Sequence, residues 1–164
     1  MKSLIAVALL IFMAPVVGSA QSAHNSAVQD RAQGYLFFSD VHAHYGIFHV
    51  GGGADFRVFK GLGINSEVGV MGRLADGEGL FSIGPSYPFM GARKSKLEPF
   101  VDGGYTRTFA GSPGSQNLFF GGGINYWFFK RVGLRVDFRD YVNHYGRIGL
   151  TASSPEIRIG IVLR

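Results

Sequence analysis

The stretch 132–142 (VGLRVDFRDYV) constrains this chain more than any other, because it alternates strictly. Val132, Leu134, Val136 and Phe138 fall on one side of an extended backbone, and Arg135, Asp137 and Arg139 on the other. A strand with one apolar and one ionic face must put the two in different surroundings. In a soluble sheet the apolar face turns inward and the charges sit in water. In a membrane barrel the apolar face meets lipid and the charges fill the lumen. The preceding stretch, 118–129, reads as its hairpin partner across a tight turn at Lys130-Arg131.

The rest of the sequence favours the membrane. There are 25 Gly and 15 Phe, with only 16% of residues charged. Glycine is a poor helix former, and glycine with aromatics broken by turn signals points to a closed all-β sheet. The absence of cysteine excludes disulfides, thiolate nucleophiles and an N-terminal lipidated Cys. The net charge of +5 comes from cations interspersed with acids, which argues against a nucleic-acid partner.

Residues 1–20 have the form of a secretory signal peptide: Lys2, an apolar run over 4–13, then small residues at Gly18 and Ala20, with cleavage expected after Ala20. Residues 21–33 are polar and read as a disordered lead-in. A single domain, 34–164, follows, with strands expected at 34–39, 47–59, 62–72, 80–89, 99–109, 118–129, 132–142 and 156–163. Most approach the roughly 9–11 residues that a tilted strand needs to cross a bilayer. The expected connections alternate in length: 60–61 and 130–131 are tight, whereas 40–46, 73–79, 110–117 and 143–155 are long. With a periplasmic N-terminus the long links all fall outside; 90–98 is the exception.

Period two then divides the side chains. Outward residues include Phe48, Val50, Phe56, Val58, Leu62, Ile64, Val68, Val70, Phe81, Ile83, Tyr87, Val101, Tyr105, Leu118, Phe120, Ile124, Tyr126, Ile157, Ile159, Ile161 and Leu163. Inward fall Asp55, Glu67, Asp102, Asp137 and Glu156 against Arg57, Arg135, Arg139 and Arg158, with His49, Asn65 and Asn125. An eight-stranded barrel is just wide enough to be filled by side chains, and buried charges must pair, so a salt-bridged, plugged lumen is expected. Inward Gly51, Gly53, Gly121 and Gly123 are expected to make room for long arginines. Phe56 and Phe59 beside one tight turn, and Tyr126, Trp127, Phe128 and Phe129 beside the other, are expected to form an interfacial aromatic girdle.

The segments 49–70, 99–105, 120–142 and 157–164 resemble small bacterial outer-membrane β-barrels of the OmpA/OmpX-like kind. The resemblance implies an eight-stranded antiparallel up-and-down transmembrane barrel in the outer membrane, in contact with its lipid and lipopolysaccharide. It also implies assembly by the barrel-assembly machinery through the C-terminal strand. Two features depart from the pattern. Arg164 stands where a terminal aromatic is usual, and Pro85 and Pro88 interrupt a strand, where a bulge or early end is expected. The peptidoglycan-binding domain that follows the barrel of OmpA is not carried over.

Three further constellations contain residue types with chemical potential. His42 and His44 beside Asp40 have metal-ligand spacing, but no third ligand is evident, and no metal or cofactor is expected. Ser39, Asp40 and His42, or His144 with Ser153 or Ser154, contain the residue types of an acyl-transfer triad, such as a lipopolysaccharide-modifying enzyme would need, without its motif. Arg139, Asp140 and Tyr141 fall near the outer rim, within reach of lipopolysaccharide phosphates. The leading expectation is a non-enzymatic, monomeric barrel serving envelope integrity or surface contact. The rival is a soluble periplasmic barrel enclosing an apolar ligand.

Overall fold

The computed structural model describes residues 32–42, 47–59, 61–73, 77–89, 96–109, 116–145 and 150–164. These form β1 (Ala32–His42), β2 (Ile47–Phe59), β3 (Leu62–Gly72), β4 (Gly77–Pro88), β5 (Leu97–Phe109), β6 (Gln116–Trp127), β7 (Val132–Tyr145) and β8 (Leu150–Leu163). Each strand pairs antiparallel with the next, and β8 returns to β1, closing an up-and-down barrel. Closure matters because an open edge would leave a row of backbone donors and acceptors unpaired in lipid.

The strands are staggered around the wall. From Gly34 the ladder passes through Ala54, Ser66, Ile83, Tyr105, Leu118 and Val142 to Ser153. The β8 residue directly opposite Gly34 is instead Leu163, ten residues further along. Such a shear tilts the strands by roughly 35–45° to the barrel axis.

Alternation holds throughout. On β8, Ile157, Ile159 and Ile161 are exposed while Glu156 and Arg158 are buried; on β7, Val136 and Phe138 are exposed while Arg135, Asp137 and Arg139 are buried. The apolar belt therefore faces out, opposite to what a soluble ligand-enclosing barrel needs. The inner face is polar, with a small apolar cluster of Tyr35, Phe37, Trp127 and Val162.

Three sequence expectations need correction. β1 begins at Ala32, so the last two residues of the expected lead-in are strand, and Gln33 is buried in the lumen. β4, β6, β7 and β8 also extend beyond the expected bounds, leaving connections of only 73–76, 110–115 and 146–149. The sorting of connections by length therefore disappears. Polar strand ends such as Asn143 and Ser153 had read as loop because they lie beyond the apolar belt. Finally, Pro85 lies within β4 and causes no register shift, while Pro88 is the last residue of the strand, one short of the expected end.

The proline leaves a different mark. Phe89 N–H donates to Pro99 O at 2.9 Å, so every second residue back along β4, including Pro85, directs its nitrogen toward β5. Pairing lapses there: Ile83 faces Tyr105 and Ser86 faces Asp102, with no pairing between. Gly84 sits so close to β5 that a Cβ would lie 1.9 Å from Gly103 O. A Cα–H···O contact thus stands in for the missing N–H, a weaker bond. The amide of Gly103, which faces this gap, is expected to exchange with deuterium roughly tenfold or more faster than those of Val136 and Phe138. Pro85→Val should slow it, as read by exchange mass spectrometry in micelles.

Candidate functional site: the lumen

The inner face of a narrow barrel brings opposite strands within side-chain reach, and here it assembles a continuous chain of charges. Asp55 on β2 accepts from Arg135 Nη1 at 3.0 Å, and Arg135 Nε donates to Asp137 at 3.0 Å. Asp137 also accepts from Arg158 Nε at 2.6 Å, and Arg158 Nη1 donates to both oxygens of Glu67 at 2.9 and 3.0 Å. Glu67 on β3 accepts further from Arg139 Nη1 at 3.1 Å, and Arg139 Nη2 donates to Asp102 on β5 at 2.6 Å. The chain runs through β2, β7, β8, β3 and β5, and so crosses the lumen. Three guanidiniums stand against four carboxylates, and Arg139 and Arg158 have no exposure at all.

Neutral groups add to the coordination of the carboxylates, whereas Arg135 Nη2, Arg139 Nε and Arg158 Nη2 have no hydrogen-bond partner among the described side chains. Tyr35 donates to Glu67 Oε2 at 2.8 Å and accepts from Asn65 Nδ2 at 2.7 Å, which also reaches Asp55 at 3.0 Å. Each buried guanidinium lies over a ring. Arg135 is sandwiched between Tyr35 and Phe100 at 4.1 and 3.9 Å, Arg139 covers Phe119 at 4.1 Å, and Arg158 covers Phe37 at 4.3 Å. Desolvated stacking of this kind is worth about 2 kcal/mol.

Two smaller clusters flank this chain. Above it, Glu156 accepts from Ser39 Oγ and lies 2.9 Å from His49 Nδ1. Below it, Glu98 accepts from Arg57 Nη2 at 2.7 Å and Gln33 Nε2 at 2.8 Å, while Arg164 lies 4.1 Å over the Trp127 ring and donates to Lys130 O at 3.0 Å.

Of the nine charged residues expected inside, Asp55, Glu67, Asp102, Arg135, Asp137, Arg139 and Arg158 share the central chain; Glu156 and Arg57 pair separately. Reasoning from sequence missed Glu98, assigned to a connection, and the inward rings of Tyr35, Phe37, Phe100, Phe119 and Tyr141. Gly51 and Gly53 make room for rings and not arginines: a Cβ at Gly53 would lie 2.6 Å from the Tyr35 hydroxyl. Gly121 and Gly123 give way to Asp102 and Asp137.

Trp127 is corrected outright. Phe56, Phe59, Tyr126 and Phe128 are exposed on the outer wall, but Trp127 is 4% exposed and lies inside. Two residues after inward Asn125, it shares that face. Arg139 and Tyr141 are likewise buried inside and not on the outer rim; outward Asp140 accepts from Ser153 Oγ at 2.8 Å.

The catalytic arrangement is not assembled among the described side chains. Ser39 Oγ donates to the Glu156 carboxylate, and no bond from it to an imidazole is present among the described side chains. Asp40 is exposed on the outer side. The side chains of His42, His44 and His144 lie outside the described residues. Among those described, no three ligating side chains converge on a metal position.

A closed wall, apolar outside and ion-paired inside, defines an eight-stranded transmembrane β-barrel, the architecture of the small outer-membrane barrels. Solved structures agree on the fold. The N-terminal β-barrel domain of Pseudomonas aeruginosa OprF is 14% identical, with TM-score 0.59 over 82% of this chain and 97% of that one. A de novo designed transmembrane β-barrel is 17% identical, with TM-score 0.59 over 81% and 93%. Neisserial surface protein A is 19% identical, with TM-score 0.51 over 81% and 94%. No family profile and no curated protein sequence matches the chain.

Glu67→Gln leaves two enclosed guanidiniums short of countercharge and is expected to cost about 3–5 kcal/mol in urea unfolding from detergent. Adding Arg158→Gln should recover part of that loss, because the two sites share one interaction.

Proposed function

We propose that this chain is a non-enzymatic, monomeric integral protein of the bacterial outer membrane, exported through a signal peptide at 1–20 that is cleaved after Ala20. The barrel-assembly machinery inserts it by its last strand, and it contacts outer-membrane lipid and lipopolysaccharide. Its lumen is a plug and not a pore, so its work is passive: stiffening the envelope and holding the connections at the rim for surface contact.

The observation that carries this reading is the ion-pair chain from Asp55 to Asp102 across the lumen. Below it, the cavity lined by Gln33, Asp55, Arg57, Ser86, Glu98 and Asn125 measures about 10 Å³, room for roughly one water. An ion passing through would have to part guanidiniums from carboxylates that share buried partners.

Refolded in detergent, the protein is expected to migrate anomalously on a gel until boiled. In planar bilayers it should show no stable large conductance. Sustained openings of porin size would refute the plug, and recovery in the soluble periplasm without detergent would refute the membrane location. Phe138→Arg, placing a cation on the apolar wall, should destabilise the inserted barrel by about 2–4 kcal/mol, against about 0–1 kcal/mol for Phe59→Arg beside a turn.

A further inference from the structure

Topology segregates charge between the two mouths of the barrel. The mouth that holds Ala32 and Leu163 also holds the connections 60–61, 89–96 and 128–131. These carry Lys60, Arg93, Lys94, Lys96, Lys130 and Arg131, and no Asp or Glu. At the opposite mouth, 43–46, 73–76, 110–115 and 146–149 carry only Arg73, Asp76 and Arg147 among charged residues. Lys96, Lys130 and Arg131 are exposed. The nearby acid Glu98 is turned into the lumen, where Gln33 and Arg57 bind it, so it does not offset the cations outside.

Of these cations, Lys96, Lys130 and Arg131 adjoin the lower end of the apolar wall. Phe59, Phe89, Phe128 and Phe129 are all exposed beside the three connections, Phe129 at 71%. Exposed rings at a strand end mark the boundary between hydrocarbon and headgroups. Lys130 and Arg131, one and two residues beyond Phe129, and Lys96, next to exposed Leu97, fall at the depth of lipid phosphates, where each attracts anionic lipid. We propose that this basic collar selects anionic phospholipids from the leaflet around the mouth that holds both strand termini. The choice of lipid over a cell-wall polymer rests on that depth, since a polymer-binding surface has no need to abut an aromatic belt. The inference rests on the membrane reading above.

The test uses the refolded full chain in mixed phosphatidylglycerol–phosphatidylcholine vesicles, with spin-labelled lipids reporting the fraction immobilised at the protein surface. Phosphatidylglycerol is expected to be preferred roughly threefold over phosphatidylcholine. In about 1 M salt, where the Debye length is about 3 Å, the preference should fall towards unity. It should also vanish in Lys96→Gln/Lys130→Gln/Arg131→Gln and persist in Arg73→Gln/Arg107→Gln. A ratio of unity in the wild type, or an undiminished preference in the triple variant, overturns the proposal. So does loss of co-sedimentation with peptidoglycan sacculi in the triple variant when the wild type shows no lipid preference. The heat-dependent gel shift, run on each variant, tells failure of the collar from failure of the barrel itself.

Discussion

Glu67 is the point on which the interior turns. Its carboxylate takes hydrogen bonds from Arg139, Arg158 and Tyr35, and through them ties β3 to β7, β8 and β1 across the lumen. Enclosing a guanidinium costs several kcal/mol in lost hydration, and a carboxylate offsets this only when the remaining donors also find partners. That requirement explains why Tyr35 and Asn65 gather around the carboxylates, though Arg135 Nη2, Arg139 Nε and Arg158 Nη2 keep no hydrogen-bond partner among the described side chains. It also explains the choice of cation. Every charged donor in the central chain is arginine, and the lysines among the described residues, Lys96 and Lys130, lie in connections. A flat, weakly hydrated guanidinium can lie on a ring and fork between two carboxylates, whereas an ammonium can do neither well.

The glycine runs follow from the same crowding. A lumen of this width cannot hold Tyr35, Phe37 and three arginines as well as a full side chain at every inward position. Where β2 and β6 pass those groups, the sequence drops to glycine: Gly51 and Gly53 against the β1 rings, Gly121 and Gly123 against Asp102 and Asp137. Gly84 answers a different need, letting the backbones of β4 and β5 approach where Pro85 withholds a donor. The glycines are therefore the complement of the large residues on neighbouring strands.

Strand number, antiparallel order and the inward set of charges were legible because period two is a local property, readable wherever apolar and polar residues alternate. Legibility failed where both faces are apolar. In Tyr35-Leu36-Phe37-Phe38 and Leu118-Phe119-Phe120 nothing local says which ring faces in. Counting from a polar anchor settles it: Trp127 follows inward Asn125 by two, and Phe100 precedes inward Asp102 by two. Pairing partners lay beyond reach, because which arginine meets which acid depends on the shear of the closed barrel, a property of all eight ladders together. The ends of β7 and β8 were misjudged because 143–145 and 150–155 do not continue the apolar–polar alternation that marks the rest of those strands.

The two faces of β7 also fix its register jointly. A slip of one residue against β6 and β8 would carry Arg135, Asp137 and Arg139 into hydrocarbon, at about 2–4 kcal/mol for each arginine near the midplane. It would also bring Val136 and Phe138 inward, leaving Glu67, Asp55 and Asp102 without their cations. A slip of two keeps the faces but moves Arg139 away from Asp102, breaking pairs that have no exposure to water. Either error forfeits a large part of the roughly 5–15 kcal/mol that holds a typical domain together. Lipid outside rejects the odd slips and the ion pairs inside reject the even ones. Only the combination leaves a single alignment, which is why alternation and pairing occur in the same stretch of chain.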